Sequence, residues 1–196
     1  MKTVSTPFRP SEKDKLIRFA RIEGALEGAE RPNLVWDPLC GHGIFASFIA
    51  GKWPGVRIVS SDHDAGCVIA YAERQIPNAT VSQLNVLDAP EPAGTDAAIM
   101  SVNLCTMLDF VRAYRGEFQK LVLARLLKNK KKWMTIEDTA CSKLHLNWYS
   151  YGLKSWDINE YFELLSNWFE DTWGYRVAQI SSDAGGAICY RIEPCR

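Results

Sequence analysis

The sequence lacks an excess of charge of either sign, because 23 lysines and arginines balance 23 aspartates and glutamates. This balance argues against a strongly basic nucleic-acid binder, although it leaves room for a local basic surface. The chain also has no apolar run long enough to span a bilayer, no internal repeats and no low-complexity segment. We expect no secretory signal over residues 1–10 and no membrane association.

Cysteine and histidine are present without the spacing of a metal site. The six cysteines are scattered along the chain rather than paired, so we expect no bound metal. Cys40, Cys67 and Cys105 fall in or beside predicted core elements. We therefore interpret the cysteines as reduced thiols and predict a cytoplasmic protein.

Apolar residues, by contrast, are abundant: they make up 47% of the 196 residues, enough for the core of one domain over 1–196. Hydrophobic periodicity predicts helices and strands that alternate five times, followed by two strands around a Gly-rich turn at 183–186. Such alternation is typical of a doubly wound α/β sheet. We predict a Rossmann-like, seven-stranded mixed sheet with a C-terminal antiparallel hairpin.

The predicted boundaries follow the Pro, Gly and Asn residues that interrupt the periodic segments. Helices are predicted at 11–30, 44–52, 65–75, 110–128 and 157–169, and strands at 33–36, 56–60, 80–84, 96–101, 133–137, 175–181 and 187–192. The first helix is predicted to bury Leu16, Ile17, Phe19 and Ala20. The long helix is predicted to carry Val111, Tyr114, Phe118, Leu121, Val122 and Arg125 along one side.

A glycine-rich turn follows the first predicted strand. Gly41 and Gly43, with Ala46 three residues later, fit the general dinucleotide-binding spacing, and Asp62 follows at about the expected ~20 residues. Glycine lets the backbone approach a ligand where a Cβ would clash. The acid Asp37 just before the turn favours a cationic ligand, whereas a diphosphate would prefer bare backbone amides.

These residues and the element order resemble the class I methyltransferases that use S-adenosylmethionine. Residues 37–43, D-P-L-C-G-H-G, are similar to the first motif of that family, in particular to the D-P-x-C-G-x-G variant of RNA and DNA base methyltransferases. Asp62 ends the second predicted strand, where the family holds the ribose diol. Asp88 follows the third, where the family meets the adenine amino group, and residues 101–105 follow the fourth, where substrate-facing residues lie.

The resemblance implies S-adenosylmethionine as the cofactor and a methyl transfer as the reaction. It implies cofactor contacts from Asp37, Pro38, Cys40, Gly41, Gly43, Asp62, His63, Asp88 and Ser101. It also implies a catalytic, substrate-facing role for Asn103. Asn103-Leu104-Cys105-Thr106 nevertheless lacks the prolines and the aromatic residue that amino-directed base methyltransferases carry at this point.

Simpler interpretations of the same residues remain open. Asp37, Asp62 and Asn103 are also suited to cap a turn or a helix, and Asp88 to be a loop acid. Gly41 and Gly43 alone would also make a tight turn. His42 and His63 fit either a base or an ordinary turn position, and Cys105 is more typical of a small buried residue than of a nucleophile.

A segment rich in aromatic residues, 139–156, follows the fifth predicted strand. Trp148 and Tyr151 are suited to stack on a planar substrate, and His145 to act as a base. The alternative is an aromatic lid that packs on the core. The lysine-rich run 128–132 is interpreted as a solvated helix end.

Together these features predict a methyltransferase whose acceptor is nucleic acid, with RNA favoured. The alternatives are a small-molecule methyltransferase, an NAD(P)-dependent oxidoreductase, or an inactive methyltransferase-like interaction subunit. The oxidoreductase is disfavoured by Asp37 and by the absence of a Tyr-x-x-x-Lys pair.

Overall fold

A computed structural model of the protein describes residues 12–102, 117–138, 158–182 and 188–195. Within these residues the helices are α1 (Glu12–Ala25), α2 (Ile44–Lys52), α3 (Ala65–Ala72), α4 (Glu117–Leu127) and α5 (Ile158–Trp173). The strands are β1 (Leu34–Asp37), β2 (Arg57–Asp62), β3 (Ala79–Gln83), β4 (Ala97–Val102), β5 (Trp133–Asp138), β6 (Tyr175–Ser182) and β7 (Ile188–Pro194).

The seven strands form one mixed sheet in the order β3-β2-β1-β4-β5-β7-β6. The first five are parallel to one another, and β7 lies antiparallel between β5 and β6. This confirms the predicted α/β sheet with a C-terminal antiparallel hairpin. The strand order reverses between β1 and β4, and open α/β sheets bind ligands at the carboxyl ends of the strands beside such a reversal.

Both faces of the sheet are covered, which explains why the central strands β1 and β4 are largely apolar. Successive residues of a strand point to opposite faces, so neighbouring positions join different cores. Val35 packs with residues of α1, α2 and α3, whereas Trp36 packs with residues of α4 and α5. Ile99 and Met100 of β4 alternate in the same way.

Helix α1 departs from its prediction in both its end and its buried face. Leu16 is 67% exposed, Ile17 is 41% exposed and Ala20 is exposed, so their predicted burial is wrong. Only Phe19 of that set packs inward, edge-on to Phe48 of α2. The core instead receives the C-terminal part, with Ile22, Ala25 and Leu26 buried, because α1 lies on the hairpin strands from there on.

Helix α1 ends before its predicted boundary, where Gly28 adopts a left-handed φ of +69° and Arg191 binds the free carbonyls. The buried Arg191 of β7 donates from Nε to the Ala25 carbonyl at 3.1 Å and from Nη2 to the Glu27 carbonyl at 2.8 Å. These carbonyls have no partner inside the helix at its C-terminus, so a guanidinium satisfies them. A contact from more than 160 residues along the chain therefore stabilises a helix end that Gly28 also marks locally.

Helices α4 and α5 show smaller differences. Leu121 is 54% exposed, whereas Val122, Leu123 and Leu126 are buried, so the buried face of α4 is rotated from the predicted one. The predicted start of this helix, with Val111 and Tyr114, lies outside the described residues. Helix α5 continues to Trp173, because the chain first meets a left-handed glycine at Gly174, where φ is +64°.

The two edge strands differ in length and regularity. At one edge, β3 has five residues, and Thr80, Ser82 and Gln83 are exposed. At the other, β6 has eight residues, and its pairing with β7 shifts register between Val177 and Gln179.

Among the described helices, none has the length and apolar character needed to cross a membrane.

Candidate functional site

The glycine turn, residues 38–43, connects the end of β1 to the start of α2 and is called the glycine loop below. It begins after Asp37, which is fully buried and lies in register with Ser60 of β2. Gly41 and Gly43 both adopt left-handed conformations, with φ of +49° and +74°. Since other residues rarely adopt such angles, the loop needs glycine at both positions.

The two glycines serve different purposes. A Cβ at Gly43 would lie 2.5 Å from Cδ2 of Tyr71 and 3.0 Å from Cδ1 of Ile76, so this glycine permits close packing against α3 and the turn after it. Among the described residues, a Cβ at Gly41 would meet nothing within 4 Å. The space beside Gly41 is therefore open, as a ligand site requires.

The end of β2 holds the glycine loop in place. Oδ2 of Asp62 accepts a hydrogen bond from the Gly41 amide at 2.9 Å, and the Ser61 carbonyl accepts one from the Cys40 amide at 3.0 Å. Asp62 is only 8% exposed. Its other oxygen, Oδ1, accepts from the Asp64 amide at 3.0 Å.

The cap of α3 is Asp64 rather than Asp62. Oδ1 of Asp64 accepts hydrogen bonds from the amides of Gly66 at 2.6 Å and Cys67 at 3.1 Å, as an N-cap residue does. The alternative interpretation of Asp62 as the cap of the next helix is therefore wrong. Asp62 connects two loops at the carboxyl edge of the sheet.

The glycine loop also contains a buried thiol. Burial raises the pKa of Cys40, and the negative charges of Asp37 and Asp62 raise it further. The group therefore stays a neutral thiol at physiological pH, and a neutral thiol is a poor nucleophile. The Cys40 side chain therefore packs within the loop and does not act as a nucleophile.

Helix α3 contacts the glycine loop from the other side. The Tyr71 hydroxyl lies 2.8 Å from Oγ of Ser60, and burial raises the pKa of this phenol. Just beyond the helix, Nε of Arg74 donates a hydrogen bond to the carbonyl of His42. The loop is thus fixed from both β2 and α3.

His63 extends from this edge into solvent. Its side chain is 75% exposed, and Nδ1 lies 3.3 Å from Oδ1 of Asp62. Its backbone carbonyl accepts a hydrogen bond from Nε2 of Gln83 at 3.2 Å. The ring therefore stands beside Asp62 at the open side of the sheet edge.

The chain after β3 returns to the same edge. The Leu84 amide donates to the Asp62 carbonyl at 3.0 Å, and Asn85 follows directly. The Asn85 carbonyl accepts from the amides of Asp88 at 2.9 Å and Ala89 at 2.8 Å. Asn85 and Asp88 are both exposed. The sequence interpretation named Asp88 alone, although Asn85 is the first polar side chain after the residue bound to Asp62.

A buried lysine, Lys131, binds the segment after Asp88 through Glu91. Nζ of Lys131, a fully buried group, lies 3.0 Å from Oε1 of Glu91, whose other oxygen accepts from Asn129 at 2.9 Å. Burial lowers the pKa of Lys131, and the hydrogen bond and charge of Glu91 oppose this shift. The interpretation of 128–132 as a wholly solvated run is therefore wrong: Lys128 and Lys130 are exposed, but Lys131 is not.

Comparison with known proteins supplies the fold family. No protein-family model matches the chain, and no curated protein is significantly similar in sequence. The methyltransferase domain of bacterial CtHen1-C is 13% identical, with a TM-score of 0.64 over 93% of this chain and 99% of that one. A putative RNA methyltransferase from Pyrococcus horikoshii is 11% identical, with a TM-score of 0.63 over 100% and 92%.

A third solved structure extends the comparison to a ligand complex. The plantazolicin methyltransferase BpumL, in complex with SAH, is 12% identical to this chain and has a TM-score of 0.60 over 98% and 86%. The chain has the fold of class I methyltransferases. In this methyltransferase fold the glycine loop follows β1, Asp62 ends β2 and Asn85 follows β3, and these three strands are adjacent and parallel.

Several predicted site residues of the methyltransferase fold lie outside the described residues. These are the catalytic candidate Asn103, the thiol Cys105 and the substrate candidates His145, Trp148 and Tyr151. Ser101 lies in β4 and pairs with Glu137 of β5. In the described part of the chain, no group of three or more His, Cys, Asp or Glu residues is arranged to hold a metal ion.

Proposed function

We propose that the protein is an S-adenosylmethionine-dependent methyltransferase. The observation that carries this proposal is the hydrogen bond between Asp62 and Gly41, which joins the acid of β2 to the open side of the glycine loop. Each Asp62 oxygen already accepts one backbone N–H and retains capacity for another donor. A ribose diol presents two such donors.

The charges at this edge favour a cationic ligand over a dinucleotide. Asp37 lies at the end of β1 and Asp62 at the end of β2, and the loop between them carries no lysine or arginine. A diphosphate would be repelled by these carboxylates, whereas an ammonium or sulfonium group would be attracted. S-adenosylmethionine, once bound, supplies an electrophilic methyl group on a sulfonium.

The protein's own contribution is positioning. We propose that Asp62 holds the ribose, that Asp37 and the glycine loop, with Pro38, Cys40, Gly41 and Gly43, hold the amino-acid end, and that His63 borders the adenosine. Methyl transfer is an in-line displacement, in which placement and water exclusion supply most of the acceleration. Preorganised backbone, such as the loop held by Asp62, is suited to this task.

The adenine amine has two candidate acceptors. Asp88 is the acid that the family resemblance favours, and Asn85 is the closer residue along the chain to the end of β3. Oδ1 of Asn85 accepts from the Leu87 amide at 2.9 Å and has a second lone pair. Comparing Asp88→Ala with Asn85→Ala by cofactor affinity assigns the contact to one of them.

We further propose a nucleic-acid acceptor, with RNA favoured. Support comes from the D-P-x-C-G-x-G motif and from the similarity to a putative RNA methyltransferase, whereas the similarity to a plantazolicin methyltransferase favours a different acceptor. Asn103, which follows β4 in the chain, is proposed to orient the acceptor, and Ser101 to border the cofactor.

The free thiols of Cys40 and Cys189 are consistent with a reducing, cytoplasmic location.

Calorimetry with S-adenosylmethionine, its demethylated product and NAD tests the cofactor. Binding of the first two and not of NAD is expected, and binding of NAD alone would overturn the proposal in favour of an oxidoreductase. Transfer of a labelled methyl group into total RNA, DNA and small metabolites then identifies the acceptor. Cofactor binding without transfer to any of them would favour an inactive interaction subunit.

A further inference from the structure

The peptide between His42 and Gly43 is held at both of its polar atoms. Its carbonyl accepts a hydrogen bond from Nε of Arg74, and its N–H donates to the Cys40 carbonyl at 2.9 Å. Because a peptide unit is planar, two hydrogen bonds on opposite sides fix its rotation. The rotation of this peptide sets ψ of His42 and φ of Gly43, in the turn that follows Gly41.

The Tyr71 ring packs directly against the same loop at Gly43. Its ring occupies the space that a Gly43 side chain would need, and its hydroxyl is 2.8 Å from Ser60 Oγ. Tyr71 is buried, with 2% exposure, and belongs to the core formed with α2. Tyr71 therefore serves both stability and loop shape, and a substitution there would change both.

Arg74 differs from Tyr71 in this respect. It lies two residues beyond the end of α3 and is only half-buried. In the described part of the chain, the hydrogen-bond partner of its side chain is the His42 carbonyl. Loss of this side chain would therefore remove one of the two hydrogen bonds on the His42–Gly43 peptide while leaving the core contacts of α3 intact.

We propose that Arg74 is a positioning residue for cofactor binding, acting through the His42–Gly43 peptide. This inference rests on the proposed function. Arg74 contacts the loop at the His42 carbonyl, one residue after Gly41. Without it, the peptide rotates among several orientations, and a cofactor must select the competent one, which weakens apparent affinity.

The experiment compares Arg74→Met and Arg74→Lys with wild type, and uses Arg57→Met as the matched control. Arg57 is exposed and begins β2 at the opposite end from the glycine loop. Three quantities are measured: the amide exchange rate of Gly43 without cofactor, the Kd for S-adenosylhomocysteine and the melting temperature.

For Arg74→Met we expect faster Gly43 exchange and a Kd raised by about tenfold to about a hundredfold, as for a loop that adopts the binding-competent orientation only about a tenth to about a hundredth of the time. The melting temperature should change little. Arg74→Lys should recover part of the affinity, because it restores a donor but not the planar geometry of the guanidinium. Arg57→Met should leave the exchange rate and Kd at their wild-type values.

Unchanged Gly43 exchange in Arg74→Met would overturn the inference, and so would faster exchange with an unchanged Kd. A fall in melting temperature that accounts for the whole loss of affinity in both Arg74 variants would also overturn it. If wild-type protein fails to bind S-adenosylhomocysteine, the proposed function is wrong. The exchange rates, measured without cofactor, then still decide whether Arg74 holds the loop.

Discussion

The Asp62 carboxylate accepts a hydrogen bond from the Gly41 amide at 2.9 Å, across 21 residues of sequence. One buried acid thus ties together two loops that leave neighbouring strands at the same edge. The carboxylate is held in a single orientation before any ligand arrives. We infer that Asp62 has two duties, support of the glycine loop and hydrogen bonding to a ribose.

We predict that Asp62→Ala weakens S-adenosylmethionine binding by about 2–3 kcal/mol, because hydrogen bonds to a charged group are lost. Asp64→Ala is the matched control. It removes the α3 cap and should cost about 0.5–2 kcal/mol of folding stability with little effect on affinity. Calorimetry and denaturant unfolding measure both quantities. Unchanged cofactor affinity in folded Asp62→Ala would show that Asp62 supports the glycine loop but does not bind the cofactor.

The two loop glycines should respond differently to alanine. Gly43→Ala forces a Cβ to within 2.5 Å of the Tyr71 ring, in addition to an unfavourable φ of +74°. Gly41→Ala carries only the cost of a positive φ, about 1–2 kcal/mol, because the space beside it is open.

We therefore expect the larger loss of stability in Gly43→Ala, and a loss of cofactor affinity in Gly41→Ala beyond its modest destabilisation. Urea unfolding and calorimetry separate the two effects. Equal destabilisation by both substitutions would contradict the difference in packing described above.

The buried Lys131 should be far more sensitive than its exposed neighbour. Lys131→Met leaves Glu91 without its cationic partner, and breaking a buried ion pair typically costs about 3–5 kcal/mol. Lys130→Met, at an exposed position one residue away, should change stability by less than about 0.5 kcal/mol. Chemical denaturation of the two variants tests this. Similar midpoints for both would mean that the Lys131–Glu91 contact contributes nothing.

Alkaline pH should destabilise the protein through Cys40. Its pKa in the folded state is raised above the ordinary value of 9.0 by burial and by nearby acids. Below pH 9.0 both states keep the proton, whereas above it the unfolded state loses the proton first and gains stability. Stability should fall above this pH by up to about 1.4 kcal/mol per pH unit from this group.

Cys40→Ala and Cys40→Ser test this effect, because neither side chain ionises in this range. Urea unfolding under reducing conditions at about pH 8 to about pH 10.5 should give a shallower decline in both variants than in wild type. A decline as steep as that of wild type would show that other groups cause the alkaline sensitivity.

The segment at 139–156 remains a prediction for substrate binding. If Trp148 and Tyr151 contact the acceptor, their replacement by alanine should lower methyl transfer while cofactor affinity and melting temperature barely change. If both rings are core residues, the double variant should instead lose several kcal/mol, about 3–5 for each buried large aromatic. A melting collapse without a selective loss of activity would refute the substrate role.

The sheet was predictable because its signals are local. Short apolar runs that end at glycine, proline or asparagine mark the strands, and each observed strand lies within two residues of its predicted bounds. The positions of Asp37, Gly41 and Asp62 at one sheet edge then follow from parallel connections. Right-handed crossovers reduce the possible strand orders to a few, and the observed order is one of them.

The remaining site features depend on partners that are distant in sequence. Arg74 and His42 are 32 residues apart, and Lys131 and Glu91 are 40 apart. The lysine-rich sequence around Lys131 is typical of a solvated helix end, and nothing local marks the one lysine that turns inward. Arg191 likewise binds the end of α1 from 166 residues away, although Gly28 gave a local signal for that end ahead of Pro32.

The polar, five-residue β3 and the register shift in β6 bear on self-association. An exposed sheet edge presents unpaired backbone groups on which another chain can add a strand. At the β3 edge, the exposed side chains of Thr80, Ser82 and Gln83 are polar, so an added strand would bury little apolar surface against them. At the β6 edge, the shift between Val177 and Gln179 breaks the regular ladder that an added strand would have to match. Both ends of the sheet thus discourage growth by strand addition, which protects the fold from aggregation at high concentration.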